Sequence, residues 1–250
     1  MFDFSSDLHL DNAAMGGPFR WIGKIDVRKY KNPTSTTLLI AGDTSESLSD
    51  TVDFLNAAAD HYERVIAVLG NHEEVDRDAV TRDNVHILDL VGHEYRKDGI
   101  AYLGGCLEDE AAVEVVARKL TAAKNDATIS RVIVLSHFAP TPRLSDLTGG
   151  NFREKCNGLL DMVGPPLKDT TIVFGHVHLP FNLMLDGYRL LSDPRGYRGI
   201  RRDGSAWRGK FATFASLAGI PLATHVSDIS QGNQDKRAEK AYTTEYGFKL

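Results

Sequence analysis

Two histidines one residue apart, in Gly175-His176-Val177-His178, directly follow the apolar run Thr171-Ile172-Val173-Phe174. A buried strand that ends by projecting two imidazoles into a loop is a metal-site signal, because neutral imidazole is the commonest protein metal ligand. Residues of the same kind stand upstream in matching contexts: Asp7-Leu8-His9, Gly42-Asp43, Gly70-Asn71-His72-Glu73 and Ser136-His137. Each comes within a residue or two of an apolar stretch that reads as a strand. Short strands whose C-terminal ends all carry ligand-type residues describe a hydrolase built around two metal ions.

The elements that must position these residues are legible as a rhythm of strands and helices. Residues 2–6, 37–41, 65–69 and 131–135 read as strands. Residues 48–59 have helical spacing, with Leu48, Val52, Leu55 and Ala59 on one face and Ser47 or Ser49 as N-cap. A second helix is expected over 110–124. Hairpins are expected over 94–103, around Lys97-Asp98-Gly99, and over 182–192, turning at Asp186-Gly187. Strand–helix–strand order implies parallel pairing, with loops gathered at the C-terminal strand ends where α/β proteins place their sites. Residues 11–33 read as a polar, glycine-containing loop. The stretch between His137 and Thr170, with prolines, paired glycines and one short helical segment, is long enough to be a wall or lid over a site. From Gln231 the composition turns polar, so the reading is a domain over 1–230 and a peripheral extension over 231–250.

The bulk numbers agree with one layered domain: 250 residues, 42% hydrophobic and 25% charged. A net charge of -5 argues against general affinity for nucleic acid. Two cysteines, Cys106 and Cys156, fit a reducing compartment without a disulfide framework. No apolar stretch approaches the roughly 20 residues that span a bilayer. A cytoplasmic protein is expected, with no membrane partner.

The ordered set D-x-H, G-D, G-N-H-E, H and G-H-x-H, running from Asp7 to His178, resembles the calcineurin-like metallophosphoesterase superfamily. The resemblance implies a four-layer αββα sandwich with two facing mixed β-sheets. It implies that Asp7, His9 and His178 ligate one ion, that Asn71, His137 and His176 ligate the other, and that Asp43 bridges both. It also implies that His72 is the catalytic histidine, acting on the leaving group while a metal-bound hydroxide attacks. Mixed nitrogen and oxygen ligation without thiolates suits Mn, Fe, Zn or Ni, with Mn first, better than Ca. Two dications about 3.5–4 Å apart can clamp a phosphoryl group. Set against two ligand carboxylates they leave a net positive site, and Asn71 adds an oxygen without adding charge. His72 needs an anionic partner. The superfamily's protein phosphatases carry an aspartate three residues after the bridging one, where this chain has Glu46; Glu73 competes, though its expected task is holding its loop.

Asp193-Pro194-Arg195-Gly196-Tyr197 resembles the Asn-Pro-Arg-Gly-Tyr segment of a bacterial branch of the superfamily, and Arg198, Arg201, Arg202, Arg208 and Lys210 follow. Such a cluster can hold a phosphate or stand as a solvated loop. Arg195 and Tyr197, nearest the hairpin, are the two expected to approach substrate. His61, His86, His93 and His225 lack comparable context and read as structural or exposed. Asp11 reads as a loop cap, and Asp3 as a solvent-facing strand residue.

The expected substrate is a small phosphodiester or phosphomonoester, nucleotide-like. A phosphoprotein phosphatase is disfavoured by Thr44-Ser45-Glu46-Ser47 in place of D-R-G, and a nuclease acting on extended nucleic acid by the acidic balance. A non-catalytic binding module on the same fold would lack the catalytic histidine, and His72 is present.

Overall fold

The computed structural model describes residues 1–11, 27–75, 77–88, 93–196 and 211–213. The expected extension over 231–250, His225, Tyr197 and the basic cluster from Arg198 to Lys210 lie outside the described residues.

Strands β1 (Phe2–Ser5), β2 (Thr37–Ala41), β3 (Arg64–Val68) and β4 (Val85–Ile87) pair in parallel, and β11 (Ala212–Thr213) closes the β1 edge antiparallel. The second sheet runs β5 (Glu94–Lys97), β6 (Ile100–Gly105), β7 (Arg131–Ser136), β8 (Asp169–Phe174), β10 (Tyr188–Ser192), β9 (Phe181–Leu185). Its β6-β7-β8-β10 centre is parallel, flanked by the two expected hairpins. Both hairpin turns use an aspartate and a glycine at positive φ, Asp98-Gly99 and Asp186-Gly187, the pattern of a two-residue turn matched to strand twist.

The apolar runs are continuous because each strand is covered on both faces. Alternate side chains of one strand enter different cores. Leu39, Ala41, Ile66 and Val68 of the first sheet meet Tyr102, Ile133, Leu135, Val173 and Leu191 of the second in a layer between the sheets. Leu38, Ile40, Val65 and Ala67 pack outward on α1 (Leu48–Ala59). Val132, Val134, Ile172 and Leu190 pack outward with residues of α2 (Glu110–Asn125). The order α, β, β, α is therefore the expected four-layer sandwich.

Local expectations met three corrections. Ser47 caps α1 by accepting from Asp50 N, but Leu48 is exposed; the buried stripe is Thr51, Val52, Phe54, Leu55, Ala58 and Ala59. The first helical turn overhangs the core, so the period extends one residue too far. The stretch between His137 and Thr170 holds two short helices, α3 (Arg143–Thr148) and α4 (Leu159–Met162), rather than one, with a 3₁₀ turn at Arg153–Lys155. Asp3 is fully buried, not solvent-facing. Its carboxylate accepts from Asn32 N and Nδ2, Ser35 Oγ and Tyr62 OH, at 2.6 to 2.9 Å. The outer face of β1 is covered by residues 30–35 instead of water, and the donors there satisfy the charge. No helix among the described residues is long and apolar enough to cross a membrane.

Candidate metal centre

The loops that follow β1, β2 and β8 turn sharply where they carry the motif residues. Asp7, His9, Asp43, His176 and His178 all have left-handed backbone, with φ between 42° and 65°. Such a conformation is uncommon for non-glycine residues, with Asp and His among the better-tolerated types, and where it clusters it marks a functional site. The strain is held by backbone pairing that continues past the strands. Asp7 N donates to Gly42 O at 2.9 Å, His9 N to Asp43 O and Leu10 N to Thr44 O at 3.0 Å. On the second sheet Gly175 N donates to His137 O at 3.0 Å. Two glycines let these turns close on each other. A Cβ on Gly42, at φ 85°, would stand 2.5 Å from His137 Nδ1, and one on Gly70 would stand 1.9 Å from Asp43 Oδ1.

The turns gather two triads of potential ligands, Asp7–His9–His178 and Asp43–His137–His176, each with its ligand atoms within 4.8 Å of one another. In the first, His9 Nε2 and His178 Nε2 are 3.2 Å apart, and His178 Nε2 is 3.2 Å from Asp7 Oδ1. In the second, His137 Nε2 lies 3.4 Å from Asp43 Oδ2 and 3.0 Å from Asn71 Oδ1. Ligand atoms around one ion with bonds of about 2.1 Å are separated by roughly 3.0–3.4 Å, the edges of octahedral and tetrahedral shells. Asp43 Oδ2 is also 3.8 Å from His9 Nε2, so this one carboxylate reaches both triads.

Each triad draws on both sheets. Asp7, His9 and Asp43 follow β1 and β2; His137, His176 and His178 follow β7 and β8. A cross-sheet bond fixes their register, His176 N donating to Asp7 Oδ1 at 2.9 Å. The other carboxylate oxygen, Asp7 Oδ2, is buried with no hydrogen-bond partner among the described residues. A buried, unpaired carboxylate oxygen beside two imidazoles fits a cation.

Proton affinities reflect the same crowding of buried carboxylates and imidazoles. Burial holds His9 down to about 4, against the pull of the Asp7 carboxylate. Burial, then His137 and Lys155, hold His176 down to about 3. Asp7 and Asp43 stay below the usual carboxylate range; burial opposes this, and His178 and His137 respectively outweigh it. Burial also disfavours charge on His137, but Asp43 outweighs it and lifts that group to about 9. Its Nδ1 is 3.0 Å from the Ala41 carbonyl, which can only accept, so Nδ1 keeps a proton and Nε2 is the atom a metal would take. Phe138 stacks on the His176 ring at 4.0 Å and 26°, steadying its plane; nothing in sequence distinguished Phe138 from an ordinary core aromatic.

His72 lies at the open rim, its side chain 45% exposed, with Nδ1 3.7 Å from Glu46 Oε1, an ion-pair distance longer than a hydrogen bond. Its backbone N donates to Asp43 Oδ1 at 3.3 Å. Asn71 is exposed on the same rim. Glu73 points away, buried, accepting from Gly70 N, Thr44 N and Thr51 Oγ1, each at 3.0 Å. It ties the Asp43 loop to the Asn71–His72 loop, the task expected of it. Asp11 caps as expected, accepting from Ser45 Oγ at 3.0 Å and Glu46 N at 2.9 Å. Arg195 is buried, and its Nη1 donates to the Leu8 carbonyl at 2.5 Å. His86 stacks on Tyr95 at 3.7 Å, whereas His61 and His93 are exposed.

Residues 2–180 match the family model of the calcineurin-like phosphoesterases, and the chain belongs to that family. Among solved structures it resembles the phosphopantetheinyl hydrolase of Mycobacterium tuberculosis, with 16% identity, 78% of this chain and 89% of that one covered, and a TM-score of 0.53. It also resembles a Staphylococcus aureus protein designated a 5′-nucleotidase, solved with alpha-ketoglutarate, with 15% identity, 78% of this chain and 48% of that one covered, and a TM-score of 0.48. No curated protein matches the chain.

Proposed function

We propose that this chain is a dinuclear metal-dependent phosphoesterase acting on a small, nucleotide-like phosphodiester or phosphomonoester. The observation that carries the reading is the position of Asp43, whose Oδ2 faces His9 of one triad at 3.8 Å and His137 of the other at 3.4 Å. Asp7, His9 and His178 hold one ion, Asn71, His137 and His176 the other, and Asp43 both. Mn is the first choice, with Fe, Zn and Ni as alternatives. Bound dications supply Lewis acidity toward phosphoryl oxygens and an activated nucleophile at neutral pH. His72, free of the triads and exposed at the rim, delivers a proton to the leaving oxygen. Glu46, 3.7 Å from its Nδ1, orients the ring. The two free cysteines are consistent with a reducing cytoplasm.

The test is metal analysis combined with turnover of bis-p-nitrophenyl phosphate, p-nitrophenyl phosphate, cyclic mononucleotides and long single-stranded DNA across a salt series. Two ions per chain and turnover of small substrates, with a shallow salt dependence, are expected. Preference for the polymer would show a steep slope, near about −0.7 per phosphate engaged on a single strand, and would replace this reading with a nuclease. Absence of transition-metal binding at any loading would refute the centre itself.

A further inference from the structure

After β10 the chain leaves the second sheet and lies along the end of β1 in the first. Ser5 Oγ and Ser6 N donate to Asp193 O at 2.9 and 3.3 Å, and Ser6 and Pro194 form a parallel bridge. Arg195 N then donates to Ser6 O and Gly196 N to Asp7 O, both at 3.0 Å. The strap over 193–196 thus follows the first motif residue by residue. At its end the Arg195 side chain, 7% exposed, reaches the Leu8 carbonyl at 2.5 Å.

Leu8 stands between two residues in left-handed backbone, Asp7 at φ 49° and His9 at φ 42°. Two such residues flanking one peptide carbonyl leave it outside any sheet ladder, and a buried carbonyl needs a donor. A charged donor forms the stronger kind of hydrogen bond. Tyr30 and Asp11, the latter three residues on from Leu8, are close enough to act electrostatically on the same guanidinium.

We propose that Arg195 is a positioning residue for the first triad: by holding the Leu8 carbonyl it fixes the turn that aims Asp7 and His9 at His178. This differs from the substrate contact expected from the sequence. It rests on the dinuclear reading above. His137 and His176 of the second triad follow β7 and β8 on the other sheet, so the larger effect falls on the first triad, and the second feels it only through Asp43, whose carbonyl accepts from His9 N at 3.0 Å.

The experiment titrates metal-free full-length protein with Co²⁺ by calorimetry and follows cobalt absorption, for wild type, Arg195→Ala and Arg195→Lys. His178→Ala and His176→Ala assign the two binding steps. Loss of an outer partner of a ligand typically weakens metal binding about 10–100-fold, and Arg195 acts one peptide removed from Asp7 and His9, so Arg195→Ala should lose up to about that much at the first triad and clearly less at the second. Arg195→Lys keeps a charge and a donor and should recover part of the loss; it carries the test alone if the alanine variant does not fold. Equal weakening at both triads would reduce Arg195 to a general structural role and overturn the proposal. Unchanged metal binding would overturn it, and a raised KM for bis-p-nitrophenyl phosphate in the same variant would then mark a substrate contact. A wild type that binds fewer than two ions would fail the dinuclear reading itself, a different result from either.

Discussion

Replacing Glu73 by glutamine tests how the two rim loops are tied together. Oε2 accepts from Gly70 N, and Oε1 accepts from Thr44 N and Thr51 Oγ1, each at 3.0 Å. A glutamine amide has one oxygen. Placed at Oε2 it satisfies Gly70 and turns its NH₂ against the Thr44 N–H; flipped, it satisfies Thr44 and turns NH₂ against Gly70. One buried backbone N–H is orphaned either way, at a cost of about 1–3 kcal/mol. Burial pushes the Glu73 carboxyl up, opposed by those hydrogen bonds, but the argument holds in both protonation states, since a neutral carboxyl can donate to Thr51 and still accept both N–H groups. At an m-value of about 2 kcal/mol/M, a loss of about 2 kcal/mol moves the urea midpoint by about 1 M. Chelated protein unfolded in urea is the assay, with Glu73→Ala, which orphans both N–H groups, falling further. Because the tie spaces Asp43 from Asn71 and His72, metal affinity of the second triad should fall as well. A glutamine variant within about 0.5 kcal/mol of wild type, below the cost of one orphaned donor, would refute this account of the loop.

His72→Ala should keep both metals and lose about 10²–10⁴-fold in rate on substrates with poor leaving groups, and much less on p-nitrophenyl esters; metal loss without leaving-group dependence would count against its role. Glu46→Gln should show a weaker version of the same pattern, read from the pH profile of kcat. Asp43→Ala should weaken both sites and His9→Ala chiefly the first, read by metal analysis after dialysis. Metal-free protein should be most stable near neutrality. His9 and His176 have folded values near 4 and 3, below the ordinary histidine value of 6.5, so the stability tied to their neutral forms is lost as pH falls from 6.5 through those values. His137, raised to about 9, gives stability that is lost as pH rises from 6.5 through 9. Melting temperature against pH in chelator should show both flanks, and a flat profile from pH 4 to pH 9 would contradict the burial of His9 and His176 and the pairing of His137 with Asp43.

The triads were legible because chemistry and pattern coincide at them: each ligand-type residue follows a doubly covered strand, which sequence marks as an apolar run. Glu46 stood out by its spacing from Asp43, and its carboxylate lies 3.7 Å from His72 Nδ1, whereas Glu73 accepts from Gly70, Thr44 and Thr51. What sequence hid depends on layers meeting. Asp3 read as solvent-facing because alternation in β1 gives no sign that residues 30–35 cover its outer face. Arg195 was expected to approach substrate because an arginine followed by a basic run looks like an anion site; the Leu8 carbonyl that it holds, 187 positions away in the chain, gave no local sign. Phe138 carries no local signal at all.

The same dependence explains why the site is sensitive to the core. Neither triad can form on one sheet, since each needs residues following β1 or β2 and others following β7 or β8. The distance between those strand ends is set by the layer of Phe4, Leu39, Ala41, Leu135, Val173 and Leu191 packed between the sheets. Interiors at crystal-like density transmit a change of one methylene rather than absorbing it. A shift of the sheets would separate His178 from Asp7 and His137 from Asp43 together, while leaving each strand intact. Bound ions would act in the opposite direction, as cross-links between sheets that bind only the folded arrangement and so stabilise it by mass action. Core packing and metal occupancy are therefore coupled through one geometric variable, the spacing of the two sheets at their C-terminal edges.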